Sequence, residues 1–363
     1  MLRVVILYNL FERLRKGEEK DILAEGAIIE EIEAVESAVR SLGHECVVIA
    51  VRDEIFEVIH WLKEYQPDVV FNLCESVYGH SCWEMNIPAL LDLFRMPYTG
   101  SSPLTLGLCQ DKGKVKDILQ SQDILTPRYR IFERAVSSVK ENIFPAIVKP
   151  LHEDGSLGIS RESVVYDHEA LIRQIRYVID QYQQPALVEE FVEGRELNVG
   201  LMEINGKVGA LPISEIDYSG FPEGLPRICG YEAKWVTESP EYQKSIPICP
   251  APLGGMVRKR VEHIGIRVFK LFGCRDYARV DLRIGQEGKI YVLEVNPNPD
   301  ISPQSGMARA LKAQGTTYTE FVGNLLERAL RRKDGEIRRQ EDGEVSQSKE
   351  VIRDFSTRRR QSQ

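Results

Sequence analysis

The sequence predicts an α/β unit at the amino end, then two α+β units, then a charged tail. Three observations carry that reading. Short apolar runs alternate with helix-spaced segments up to about residue 108, mixed helices and strands follow, and the apolar pattern dissolves after Leu330. A chain of 363 residues is long enough for two or three domains with substantial cores. Its 43% hydrophobic and 28% charged content places it among ordinary globular chains rather than disordered or membrane ones.

Residues 3–8 (RVVILY) read as a buried strand. Ile28, Ile32, Val35, Val39 and Leu42 recur at helical spacing, and Gly43 stands where a C-cap belongs, which predicts a helix over 27–42. Val47–Val51 reads as a strand, Ile55–Tyr65 as a helix and Asp68–Leu73 as a strand. A helix over 84–94 and a strand at MPYTGS (96–101) complete the unit 1–108. Apolar strands alternating with helices imply a parallel sheet covered on its faces.

The second unit, 109–197, reads as helix Lys112–Gln120, strands Tyr129–Phe132 and Ala146–Lys149, a glycine-bearing loop, strand Ser163–Val165, helix Glu169–Tyr182 and strand Ala186–Glu190. The third, 198–330, holds strands over 198–204 and 207–211, a polar Gly/Pro-rich loop over 218–253, a helix over 254–272, a hairpin and a last helix over 318–331. The tail, 331–363, carries ten Lys/Arg and seven Asp/Glu, which reads as a solvated, disordered segment. Its removal is expected to leave activity intact.

The net charge is −8, and since the tail contributes +3, residues 1–330 carry −11. Such an acidic body argues against nucleic acid as a partner. The seven cysteines form no CxxC pair and no zinc-spaced cluster, and read as reduced thiols of a cytoplasmic protein. MLRVVILYN is too short for a signal peptide and no segment approaches membrane length, so a membrane partner is not expected.

Near the carboxyl end, FGCRDYARVDLRI (272–284) and KIYVLEVNPNPDIS (289–302) read as two strands joined by a turn at GQEG (285–288). Arg279 and Asp281 alternate with Ala278, Val280 and Leu282, and Glu294 and Asn296 alternate with Leu293, Val295 and Pro297. Asp281, Glu294 and Asn296 thus offer three oxygen ligands with Arg279 beside them, a pattern that suits Mg²⁺ shared with phosphates. The same alternation is also what a half-solvated sheet face shows.

FPAIVKPLHEDGSLGIS (144–160) ends an apolar strand at Lys149 and continues into a loop with Gly155, Ser156 and Gly158. Glycines let backbone N–H groups approach phosphate, although neither a Walker A nor a GxGxxG spacing is present. ALVEEFVEGRELNVG (186–200) places Glu189, Val192 and Glu196 at and beyond a strand end, where carboxylates and a free backbone edge suit adenine and ribose or simply face solvent.

The order DKGKVK (111–116), VKP, GSLG, VEEFVEGRE, RVD, LEVN resembles the ATP-grasp superfamily. PYTGS (97–101), GYEAKW (230–235) and CPAPL (249–253) narrow the resemblance to the D-alanine–D-alanine ligase family, over roughly residues 66–325. It implies an N-terminal Rossmann-like domain followed by a two-lobed ATP-grasp fold. Lys112 and Lys149 would contact the ATP phosphates, Ser156 would lie in the loop over them, and Lys234 would approach the γ-phosphate. Glu189 and the Val192 backbone would meet adenine, and Glu196 the ribose. Asp281, Glu294 and Asn296 would hold two Mg²⁺ ions, with Mn²⁺ an alternative, and Ser305 would bind a substrate carboxylate. A homodimer through the first domain is a further family expectation.

The implied activity is an ATP-dependent carboxylate–amine ligase that joins amino acids or short peptides through an acylphosphate. Several positions depart from the family pattern. YNLFERLRKGEEK (8–20) lacks the family's Ser-x-Glu, Tyr78 and Trp83 replace an expected His and Glu, and Asp300 replaces a glycine. Gly155 stands for a serine and Trp235 for a tyrosine. These departures fall on the amino-acid pocket, so a changed substrate pair is one alternative. A nucleotide-binding regulatory protein without turnover is the other. Glu75, Glu84 and Asp300 could bind a substrate ammonium, although acids of this kind are more often surface or structural.

Arg279 is placed to stabilise the oxyanion that forms when an amine attacks the acylphosphate. Removing one such donor typically lowers rate by about 10²–10³. Arg279→Ala is therefore expected to fold and bind ATP yet lose activity on that scale, and steady-state rates within tenfold of the parent would exclude the role.

Overall fold

The computed structural model describes residues 1–10, 16–21, 28–52, 55–140, 143–204 and 206–332. Much of the 8–20 stretch and residues 333–363 of the expected tail lie outside the described residues. The first unit comprises β1 (Arg3–Asn9), α1 (Ile28–Ser41), β2 (Glu45–Val51), α2 (Ile55–Tyr65), β3 (Val69–Leu73) and α3 (Asn86–Leu93). Its strands form a parallel sheet in the order β2-β1-β3. Val4 and Ile6 enter one core with α1, whereas Val5 and Leu7 enter another with α2 and α3, so β1 is buried on both faces.

The expected strand at 96–101 reduces to a single bridge. Val70 N–H donates to Pro97 O at 2.8 Å and Thr99 N–H donates to Val70 O at 3.0 Å, and the chain then turns into α4 (Pro103–Cys109), which the sequence reading missed. Ser102 caps that helix, with Pro103 in its first turn. Next come α5 (Lys112–Ser121), capped by Asp111, then β4 (Tyr129–Phe132), β5 (Ala146–Pro150), β6 (Val164–Val165), α6 (His168–Tyr182) and β7 (Ala186–Glu190). These strands make an antiparallel sheet in the order β4-β7-β5-β6, with α6 packed on one face.

The largest sheet has six strands. β8 (Arg195–Ile204), β9 (Lys207–Ala210), β10 (Ser214–Asp217), β11 (Ile246–Ile248), β12 (Tyr277–Ile284) and β13 (Ile290–Asn296) pair in the order β11-β10-β8-β12-β13, with β9 beside β8. Two short helices, α7 (Tyr231–Trp235) and α8 (Pro240–Lys244), interrupt the segment expected as loop. α9 (Gly255–Leu271) covers the apolar sheet face, and α10 (Gly306–Gln314) precedes α11 (318–332). Phe321, Val322, Leu325 and Leu326 of α11 share a core with Val4 and Ile6 of β1, so the last helix covers the first sheet.

The expected tail boundary at 331 falls two residues short. Arg332 continues α11 and reaches Asp276, a fully buried carboxylate that also accepts from Arg328 Nε at 3.0 Å and Gly100 N–H at 2.8 Å. Arg332 Nη2 further donates to Tyr98 O at 2.6 Å. Arg331 instead pairs one turn back with exposed Glu327. Arg332→Ala should therefore cost roughly 1.5–3 kcal/mol, and Arg331→Ala roughly 0.5 kcal/mol or less. Chemical denaturation of the two variants tests this, and equal costs would remove Arg332 from the fold.

Candidate active site

The site grows from the register of three strands. β12 pairs with β13 so that Arg279 faces Asn296 and Asp281 faces Glu294, and with β8 so that Asp281 faces Asn198 and Arg283 faces Glu196. Alternation puts these polar side chains on one face. Behind them Leu197, Val199, Val280, Leu282 and Val295 enter the core under α9. The register shifts after Asp281, where Leu293 becomes the extra, half-buried residue of a bulge, so it leaves the apolar row in which simple alternation placed it.

Arg279 is locked in a two-point pair with Asp281, Nε to Oδ1 at 2.8 Å and Nη2 to Oδ2 at 3.0 Å, and Asn198 Nδ2 donates to the same Oδ1 at 2.7 Å. Burial opposes the guanidinium charge, but Asp281, with Glu294 and Asp300 farther off, outweighs it and raises the Arg279 pKa. Lys112, at the first turn of α5, lies 2.8 Å from Glu294 Oε1 and 2.8 Å from Asp154 Oδ1, and donates to Glu153 O at 2.6 Å. Burial opposes ionisation of Glu294, yet Lys112 holds its carboxyl below the usual range. Asp154 is pushed up to about 7, by burial above all, with Lys112 pulling down and Glu294 pushing up.

Among the described residues, no group of three or more His, Cys, Asp or Glu side chains is arranged to hold a metal. The polar face supplies two carboxylates, Asp281 and Glu294, and the Asn296 amide oxygen. That hard donor set fits a divalent cation completed by phosphate oxygens and water, not one enclosed by protein alone.

A second buried cluster lies along α5 and the central sheet. Lys149 Nζ is 2.8 Å from Glu189 Oε2, while Lys116, one turn after Lys112, pairs with Glu189 Oε1 and donates to Thr126 Oγ1 at 2.9 Å. Burial works against the Glu189 charge, but the two lysines lower its pKa overall. Both Glu189 oxygens thus lie against lysines, which also fixes Lys149. Val192 O accepts from Arg283 Nη1 at 2.9 Å, and Glu196 accepts from Arg283 Nη2 at 2.6 Å and Tyr218 Oη at 3.1 Å. Val192, expected at adenine, and Glu196, expected at the ribose, therefore meet on one buried arginine.

The two loops expected as lids are tied to each other. Gly155, Ser156 and Gly158 all adopt positive φ (66°, 65° and 72°), a conformation that glycine takes freely and serine does not. Ser156 Oγ donates to Cys229 O at 2.7 Å, Trp235 Nε1 donates to Gly155 O at 2.9 Å, and Tyr231 N–H donates to Ile159 O at 2.7 Å. The Lys234 ammonium lies 4.8 Å from the Trp235 ring centroid.

A cavity of about 150 Å³ opens beside this assembly. Lys234, Trp235, Arg279 and Asn296 line it together with Asn9, the last residue of β1, and Ser76, three residues past β3. Ser305 does not line it. That residue caps α10, its Oγ accepting from Ala308 N–H at 3.1 Å. Three features were within reach of the sequence but received no role. Lys116 lies four residues after Lys112, Arg283 continues the Arg279–Asp281 alternation, and Asp154 stands in the glycine loop. Asn198 had no such signal, because only strand pairing brings it opposite Asp281.

Residues 118–327 match a family model described as the D-ala D-ala ligase C-terminus. A D-alanine–D-alanine ligase of Pseudothermotoga lettingae is 31% identical over 299 residues, which is 82% of this chain and 93% of that protein. An uncharacterized protein of Sinorhizobium fredii, y4sG, is 32% identical over 307 residues, 83% and 87% of the two chains. The crystal structure of a D-alanine–D-alanine ligase from Bacillus anthracis complexed with ATP shares the fold, with a TM-score of 0.70 at 21% identity over 93% of this chain and 100% of the other.

Two buried acids of the cavity carry a pH dependence. Burial, helped by Asp300 and Glu75, lifts Glu31 well above the ordinary 4.5, and burial likewise lifts Glu84. The folded chain keeps protons that the unfolded chain releases above about 4.5, so stability falls as pH rises from there until both acids ionise in the fold. Glu31→Gln should stabilise the protein at pH 8 and lose that advantage toward pH 4. Thermal melts across the range check this, and a gap that does not change with pH would refute it.

Proposed function

We propose, since this chain belongs to the D-alanine–D-alanine ligase family, that its polar strand face and adjoining cavity join the carboxylate of one amino acid or short peptide to the amine of another. The protein is an ATP-dependent, amide-bond-forming ligase that uses a divalent metal. Two Mg²⁺ ions, a Rossmann-like first domain, a homodimer and a cytoplasmic setting complete the reading. The observation that carries it is the grouping of Arg279, locked by Asp281, with Glu294, Asn296 and Lys112, of which Arg279 and Asn296 line the cavity.

A carboxylate resists amine attack because its oxygen is a poor leaving group. In the first step a carboxylate oxygen attacks the γ-phosphorus of ATP, the bond to the β-phosphate oxygen breaks, and ADP leaves. The amine nitrogen then attacks the acyl carbon, inorganic phosphate departs with the electron pair of the broken C–O bond, and the amine releases a proton. Asp281, Glu294 and Asn296 would hold the metal, which when bound offsets phosphate charge. Lys112, Lys149 and Lys234 supply fixed positive charge for the phosphates. The bidentate pair with Asp281 presets the Arg279 guanidinium for the oxyanion, so no reorganisation is needed as charge develops. Ser156 and Trp235 knit the loops at Gly155 and Cys229 together, which keeps water from the acylphosphate.

Mg²⁺-dependent ADP release is measured against single and paired D- and L-amino acids, with product masses read in parallel. ADP with a matching amide product is expected for at least one pair. ATP binding without substrate-dependent ADP from any pair would favour a nucleotide-binding protein without turnover.

A further inference from the structure

Four acids that the reading above leaves without a role, Glu31, Glu75, Glu84 and Asp300, line the cavity, and they come from α1, the segment after β3, the turn before α3 and the loop after β13. They act on one another: Asp300 and Glu75 both oppose ionisation of Glu31, and Glu75 opposes that of Glu84. Glu31 Oε1 accepts from Ile301 N–H at 3.0 Å, Glu84 Oε1 from Asn298 Nδ2 at 2.9 Å, and Asp300 Oδ1 from Ser302 N–H at 2.8 Å. These are neutral donors. Among the described residues no lysine or arginine forms an ion pair with any of the three, although Arg279 and Arg309 lie within electrostatic range of Asp300. The cavity's other lysine, Lys16, is taken up by Glu153.

A second observation points into the same space. Ser76 is 4% exposed and lines the cavity, yet its hydroxyl has no hydrogen-bond partner among the described residues. Buried polar groups are ordinarily satisfied, so a hydroxyl left open toward a cavity marks a place where a ligand completes the set. Gathering carboxylates out of water without cations is costly, and a positively charged occupant relieves that cost directly. A monoamino acid brings one ammonium, too few for three acids held by neutral donors.

We propose that this cavity selects a substrate bearing two ammonium groups, a diamino acid, held by Glu31, Glu84 and Asp300 with the Ser76 hydroxyl. The assignment rests on the ligase reading above and names its substrate class. The α-ammonium and the side-chain ammonium divide the acids between them, and the carboxylate stays free to face Arg279 and the phosphates.

The test compares ornithine with norleucine, its uncharged counterpart of equal side-chain length, in both stereoisomers, with the full chain, Mg²⁺ and ATP, alone and paired with D-alanine. ADP release should give a kcat/KM for one ornithine isomer on the order of 100-fold above norleucine, since buried polar groups left unpaired reject the wrong substrate strongly. Glu84→Gln should shrink that ratio on the order of tenfold. If this variant does not fold, the parent's ratio decides alone. ADP release with equal efficiency for the two amino acids would overturn the proposal and leave the ligase reading standing. If no pair releases ADP, the ligase reading fails, and calorimetric titration of ornithine and norleucine into the MgATP-loaded chain settles the pocket: equal affinities overturn it, and a preference for ornithine upholds it.

Discussion

The Lys112 ammonium is the point on which the site and the fold both depend. It sits at the first turn of α5, almost fully buried, and touches Glu153 O and Asp154 of the central unit and Glu294 of the six-stranded sheet. An ammonium removed from water loses several kcal/mol of solvation unless anions replace it. Helix α5 can therefore pack in this position only while both carboxylates are present. The same three groups place the Lys112 ammonium 2.8 Å from the Glu294 carboxylate, so the interface between the units also sets the position of both candidate site residues.

Similar pairing recurs across the cleft. Glu189 is bracketed by Lys116 and Lys149, Arg283 by Glu196 and Val192 O, and Arg279 by Asp281. For Glu189 and Arg279 burial works against charge and the partners outweigh it. Charges fixed by such pairs are what electrostatic stabilisation of a transient charge requires. The acid wall of the cavity is built differently. Among the described residues, Glu31, Glu84 and Asp300 receive neutral N–H donors and form no ion pair.

Legibility in the sequence followed the range of the interactions. The β12–β13 face could be read because period-two alternation places Arg279, Asp281, Glu294 and Asn296 by local geometry alone. The helices over 28–41 and 168–182 could be read from apolar spacing and, for the latter, an Asp cap. The bulge at Leu293 could not, since it exists only as a mismatch of register between two strands. Nor could the pairing of Glu189 with two lysines from different elements. The end of α11 was misplaced because Arg332 looks like any tail arginine until Asp276, fifty-six residues earlier, is seen beneath it.

That last contact also explains how two distant halves of the chain can form one cavity. Asp276 immediately precedes β12, the strand that carries Arg279, and its carboxylate binds Gly100 N–H from the first unit together with two arginines of α11. Helix α11 in turn buries Phe321 and Leu325 against the parallel sheet whose strand ends supply Asn9 and Ser76. Arg279 on β12 and the cavity residues at and beyond the ends of β1 and β3 are thus fixed relative to each other by a core and a buried carboxylate. Because the two groups of lining residues come from separate sheets, side chains around Ser76 can change without disturbing the strand pairing that sets Arg279 beside Asp281.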